Sequence, residues 1–185
     1  MGKEYQEITP RIRTWIERQH LFFVSTAPLS GDGLINCSPK GLDGLRVTGP
    51  RELVYADVGG SGIETVAHLK ENGRILIMLC AFEGPPKIYR FYGQGRCVEP
   101  HQDQFDELGK LFPDLHTIRN FIVVDVTCIR DACGFGVPEL DFKANRTAHK
   151  KWADSNSPEE ILSYRKKKNS VSLDGLRGLE GLDES

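Results

Sequence analysis

Apolar and polar residues alternate along this chain in short runs, and the period of each run predicts the element it forms. Ile8, Ile12, Trp15 and Ile16 recur at helical spacing behind Thr9-Pro10, a capping residue followed by a first-turn proline. They predict a helix over about 9–19. The β-rich runs LFFVSTA (21–27), LINCS (34–38) and ELVYAD (52–57) follow, separated by SGDG, KGLDG and TGPR, which carry turn chemistry. An antiparallel meander is expected there. Helical spacing returns over about 62–72 with Ile63, Val66, Ala67 and Leu69, and Gly73 stands where it would end that helix.

RILIMLCAF (74–82) and KIYRFYGQGRCVE (87–99) read as strands joined across Gly84-Pro85-Pro86. In the second, Ile88, Arg90, Tyr92 and Gln94 alternate with Tyr89, Phe91 and Gly93, so neither face is cleanly apolar and one should meet a polar ligand or a partner chain. A helix over about 102–112 carries Phe105, Leu108, Leu111 and Phe112 on one side, and NFIVVDVTCI (120–129) is the last strong strand. Beyond it come ACGFGVPELDF, a polar helix around 145–153, and a further helix opened by the capping box Ser157-Pro158-Glu159-Glu160. The end, SLDGLRGLEGLDES, sets a leucine at every third position, a period of neither helix nor strand, so a tail that is loosely ordered or laid as an arm on a partner copy is expected over 169–185. Residues 1–168 then form one domain, in keeping with the length of 185 residues.

Charge narrows the partners. A net charge of −2 and a pI near 6.2 lack the basic signature of a nucleic-acid or anionic-membrane binder. No apolar run has the length of a membrane span, and MGKEYQEITPRIRTW lacks the apolar centre of a signal peptide. The five cysteines are odd in number and form no CxxC pair, which fits small apolar side chains in a reducing cytoplasm. The five histidines have no metal spacing, so no zinc site is expected. Cys37 has no nearby cue for a lowered pKa, and no nucleophile is assigned. Arg165-Lys166-Lys167-Lys168 reads as a solvated helix end.

The stretch YADVGGSGIET, a strand breaking into glycines before a helix, carries the candidate chemistry. Glu83 stands about twenty positions beyond, as in a dinucleotide fingerprint. Thr65, however, replaces the third glycine, and the strands before and after lack the crossover helices that a parallel sheet needs. Two readings stay open. Ser61-Gly62-Ile63-Glu64 fits a capping box, while the bare backbones of Gly59, Gly60 and Gly62 suit an anion at a helix N-terminus.

In order, the first helix, LFFVSTA, INCSPKG, LVYADVGGSGIETVAHLKENGRI, the pair RILIMLCAF and KIYRFYGQGR, and NFIVVDVTCIRD resemble the pyridoxamine-phosphate-oxidase-like flavoproteins over residues 8 to 170. ACGFGVPELDFKANRTAHKKWA resembles the carboxy-terminal segment of one bacterial branch. The resemblance implies a mainly β (α+β) fold, a six-stranded antiparallel split β-barrel with flanking helices, that dimerises around two flavin mononucleotides (FMN). It implies that the strand with Asn36, Ser38, Pro39 and Lys40 runs along the isoalloxazine ring. Tyr55 to Thr65, with Asp57, Ser61, Gly62 and Thr65, would hold ribityl and phosphate, and Lys87 or Arg90 would approach the flavin. Arg146 and Trp152 would close over it. Many relatives carry an Arg-Lys pair where this chain has Glu64-Thr65, which leaves the cationic role to Lys40, Lys87, Arg90 or Arg74.

Each assignment has an ordinary counterpart: a turn lysine for Lys40, an outward edge charge for Arg90, and plain helix packing for Arg146 and Trp152. The function implied is an FMN-dependent oxidoreductase acting on a small molecule. FKANRTAHKKW reproduces poorly the basic motif of the true oxidases, so the substrate is left open. The alternatives are a flavin-binding or redox-sensing module without turnover, or a split barrel using deazaflavin or haem.

Overall fold

The structure, a computed structural model, describes residues 2–182. Its elements in chain order are β1 (Glu4–Tyr5), α1 (Pro10–Ile16), β2 (Phe22–Thr26), β3 (Asn36–Lys40), β4 (Leu45–Gly49), β5 (Glu52–Val58), α2 (Glu64–Asn72), β6 (Arg74–Cys80), β7 (Ile88–Val98), α3 (Gln104–Gly109), β8 (Ile118–Ala132), α4 (Ala148–Asp154) and α5 (Pro158–Asn169). The strands form one antiparallel sheet in the order β3-β2-β6-β7-β8-β5-β4, with β1 added to the far end of β8. The barrel is split, since β3 and β4 are not paired with each other.

The sequence-level cues act where local chemistry suffices. Thr9 caps α1 by accepting from Ile12 N at 3.3 Å, and Ile12 and Ile16 are buried. Gly73 ends α2 in the left-handed conformation at φ 71°, and Ser157 with Glu160 forms the expected capping box. The barrel interior is filled by Val24, Leu53, Tyr55, Ile77, Phe91 and Ile122. A smaller cluster on the outer face sets Phe121 against Phe105 and Phe112, with ring centroids 4.9 and 5.7 Å away, where α3 and the turn after it cover β8.

The structure differs from the expectation in several places. There are eight strands among the described residues rather than six. β1 has two residues and β4 carries a register shift between Val47 and Gly49, so neither shows a clean alternation. One face of β7 is interior from Tyr89 to Gly95, because Gly93 and Gly95 continue the row begun by Tyr89 and Phe91. Gly93 sits at a bulge against β8, where a Cβ would collide with the Asp125 carbonyl. α2 starts at Glu64, with Ile63 as N-cap and no side-chain cap bond, so of the two readings left open for the loop the capping box at Ser61 does not form.

Over its described residues, 169–182, the tail packs on the barrel instead of lying loose, and 183–185 of the expected arm lie outside the described residues. Asn169, Ser172 and Leu179 are buried, Val171 bridges Arg177, and Lys70 Nζ donates to Gly178 O at 2.6 Å and Glu99 Oε1 at 2.7 Å. Its three-residue period places Leu179 inward while leaving Leu173 exposed, a pattern that a turn held by specific hydrogen bonds accommodates. No helix among the described residues is long and apolar enough to cross a membrane.

Candidate functional site

β5 delivers an acid to the barrel rim. Asp57 continues the inward row of Leu53 and Tyr55, and its side chain is 1 % exposed. A carboxylate so placed needs partners, and two cations supply them. Lys40 Nζ at the end of β3 lies 2.7 Å from Oδ1, while Arg119 near the start of β8 sets Nε and Nη2 3.0 and 2.9 Å from Oδ2. Burial alone would raise the Asp57 pKa; the charges of Lys40 and Arg119 and their hydrogen bonds more than reverse this and hold it below the ordinary value. Complete burial, with the Asp57 charge adding, pushes the Tyr55 hydroxyl well above its usual range, so it stays neutral.

The same arginine reaches the glycine loop. Arg119 Nη1 donates to Gly60 O at 3.0 Å, and Asn169 Nδ2 at the end of α5 donates to the same carbonyl at 2.9 Å. Behind them Arg165 donates to Thr117 O and Ile118 O at 3.2 Å, and its pKa is lowered by burial and by the Arg119 charge. The Arg165 Nε, the Tyr55 hydroxyl and both ends of the Asn120 amide are buried without hydrogen-bond partners among the described residues. Trp152 and His149 of α4 pack over Gly59, and burial lowers the His149 pKa.

A cavity of about 390 Å³ opens above this triad, walled by β3, the glycine loop and the first turn of α2. Its donors are the Lys40 and Arg119 charges, the bare backbone at Gly60, where nothing lies within 4 Å of a notional Cβ, and the Thr65 hydroxyl. Lys40, Arg119 and the nearby Arg165 outnumber Asp57 and Glu64 in charge, which suits a phosphate at the head of a helix. A second, larger cleft of about 1220 Å³ adjoins it across Gly41 and Leu42 and runs between α1, the Phe82–Lys87 turn and residues 140–149.

Of the residues expected from sequence, Asn36, Ser38, Pro39, Lys40, Gly62 and Thr65 line the small cavity together. Asp57 lies beneath it as the counter-ion of two cations, and Ser61 is exposed on the loop without lining the cavity. Trp152 packs against Gly59. Lys87 and Arg146 lie in the larger cleft, with Lys87 Nζ held by Asp131 at 3.0 Å. Arg90 is not brought to either cavity; it stands in the outward row of β7, paired in register with Met78 and Arg130. Arg74 is also elsewhere, donating to Asn72 Oδ1 and Pro28 O. The Glu64 carboxylate folds back over Gly62, within 2.8 Å of a notional Cβ there, and so remains at the cavity.

Sequence reasoning missed Arg165, read as part of a solvated helix end but turned onto the Thr117 and Ile118 carbonyls, and Asn169, which holds the loop carbonyl; above all it missed Arg119. Its signal was indirect: Asp57 ends an apolar strand, and a buried acid demands a cation from somewhere in the chain.

Among known proteins, the model of the pyridoxamine 5'-phosphate oxidase family matches residues 8–130. The pyridoxamine 5'-phosphate oxidase family protein ustO of Aspergillus flavus is 37% identical over 192 aligned positions, which span 95% of this chain and 77% of that protein. The fold is shared with HupZ of group A Streptococcus, with TM-score 0.56, 21% identity and coverage of 68% of this chain and 99% of that one. A Lactobacillus delbrueckii protein named for the same oxidase superposes with TM-score 0.52 and 14% identity, over 69% and 98% of the two chains. With a matching family model, a relative aligned over most of its length and the split barrel in common, this chain belongs to the pyridoxamine 5'-phosphate oxidase family.

Proposed function

We propose that this protein binds FMN and is an oxidoreductase of the pyridoxamine-phosphate-oxidase-like class acting on a small molecule. The observation that carries the reading is the glycine loop set over Lys40, Asp57 and Arg119, an arrangement that suits a phosphate monoester. Lys40, Arg119, Thr65 and the Gly60 backbone would hold the phosphate, and Asn36 and Ser38 on β3 would face the ribityl chain. The larger cleft, with Trp15, Tyr89 and Arg146, would receive ring and substrate. When bound, the flavin supplies two-electron redox chemistry; the protein supplies orientation, charge and exclusion of water.

The working unit in this reading is a homodimer. Ile35 is 80% exposed and Phe135 81%, apolar surface that a second copy would cover. A reducing cytoplasm suits the five cysteines, all free.

Absorbance and mass of any cofactor released by acid from the purified protein test the assignment. FMN, in a particle of twice the chain mass, is expected. A protein that is colourless and takes up no added FMN would sink the reading, and recovery of a deazaflavin or haem would redirect it. Glu64 provides a finer check. Its carboxylate faces the proposed phosphate, and like charges near water repel by about 1 kcal/mol. Glu64→Gln should therefore tighten FMN by about fivefold in a fluorescence titration at low salt, with the gain shrinking as salt rises. An unchanged Kd would place the phosphate away from this turn.

A further inference from the structure

A line of buried and partly buried polar side chains runs from the C-terminal tail to the small cavity. His68 on α2 has no exposed surface, and its Nδ1 lies 2.9 Å from Thr26 Oγ1 on β2. Asn36 Nδ2 approaches the same hydroxyl at 3.1 Å and Thr65 Oγ1 at 2.9 Å, while Asn36 Oδ1 and Ser38 Oγ are 3.0 Å apart. At the other end, Asp174 Oδ2 lies 3.7 Å from His68 Nε2, a buried nitrogen with no hydrogen-bond partner among the described residues. Both Asp174 oxygens also accept from Leu34 N, at 3.1 and 3.2 Å, just ahead of β3.

Two polarities of this line give the buried Thr26 hydrogen an acceptor within it; were His68 Nδ1–H and the Asn36 amide both to donate to Thr26, that hydrogen would have none there. In one, the Asn36 amide nitrogen donates to both threonine oxygens, Thr26 passes its hydrogen to a bare His68 Nδ1, and the imidazole proton sits on Nε2 facing Asp174. In the reverse, the Asn36 amide is turned over, both threonines donate to its oxygen, Nδ1 carries the proton, and a bare Nε2 faces the carboxylate. The second sets two acceptors against each other in a buried place, so the Asp174 charge selects the first. The consequence reaches the cavity. In the first polarity Thr65 accepts from Asn36 and its own hydrogen is left for an anionic oxygen; in the second that hydrogen is consumed.

We propose that Asp174, acting through His68, Thr26 and Asn36, is a positioning residue that makes the Thr65 hydroxyl a donor to an anion in the glycine-loop cavity. The tail thereby sets the chemistry of a site it does not line. This rests on reading that cavity as the phosphate end of the FMN site.

Nitrogen NMR of His68 in the flavin-free protein should find the proton on Nε2; protonation of Nδ1, alone or with Nε2, would overturn the proposal. Titrations with FMN and riboflavin then read the cavity end. Thr65→Val should weaken FMN by about tenfold, the scale of a hydrogen bond to a charged group, and leave riboflavin unchanged. Asp174→Asn should weaken FMN in the same sense by about threefold or more, and the double variant should be no weaker than Thr65→Val alone. Additive losses, or an unaltered preference for FMN over riboflavin in either single variant, would overturn the link. If the wild-type protein binds neither flavin, the functional reading fails, and the His68 spectrum still decides the polarity.

Discussion

Exchanging Arg119 for methionine should lower folding stability by about 3–5 kcal/mol, the range for removing one partner of a buried ion pair. The side chain is 4% exposed and satisfies three acceptor contacts at once: two to Asp57 Oδ2 and one to Gly60 O. Methionine keeps much of the volume but leaves Asp57 with Lys40 alone and frees the loop carbonyl. FMN binding should fall with it, since the cation beneath the loop is gone, while circular dichroism should still report the β-rich fold. Urea unfolding and an FMN titration measure the two effects separately. A variant losing less than about 1 kcal/mol, the scale of an exposed pair, would show that Arg119 is not the principal counter-ion of Asp57.

Acid should attack the same triad. The folded-state pKa of Asp57 lies below its unfolded value of about 3.9, because burial, which opposes ionisation, is outweighed by Lys40 and Arg119. The stabilisation is therefore complete above the unfolded pKa and is lost as pH falls through the folded one. The wild-type protein should hold its urea midpoint down to about pH 5 and lose stability progressively below about pH 4. Asp57→Asn should be less stable near neutrality by about 3–5 kcal/mol, because two cations lose their buried partner, and its further loss in acid should be smaller. The flattening should be partial. Asp131 is also lowered, burial being outweighed by the Lys3 amide, Lys87 and Tyr5, and it titrates in both proteins. Parallel acid profiles for the two proteins would remove Asp57 from the account.

The two experiments bear on one architectural fact. Gly60 is held from beneath by Arg119 and from the side by Asn169, so the loop that would face a phosphate is fixed through its carbonyl, leaving the rest of the backbone bare. Fixing the site before a ligand arrives reduces the ordering cost of binding. α4 and α5 are part of this arrangement, because His149, Trp152, Arg165 and Asn169 meet the loop or the strand beside it.

Much of this was written in local sequence. The strand runs, the Thr9-Pro10 start of α1, the Gly73 stop of α2 and the Ser157 capping box each depend on residues within a few positions, so neighbours alone determine them. The order of these elements also carried the family resemblance, and with it the antiparallel fold and the β3 wall of the cavity. What tertiary structure decided lies at long separation. Arg119 meets Asp57 across 62 positions through the β5–β8 register and its shift between Asp57 and Val58. Arg90, as prominent in sequence, is turned outward by the parity of β7. Asp174 reaches Leu34, just ahead of β3, from 140 positions away, out of a tail whose composition predicted looseness. Periodicity tells which face of an element is apolar; which charges meet is set by strand register and by where the chain returns.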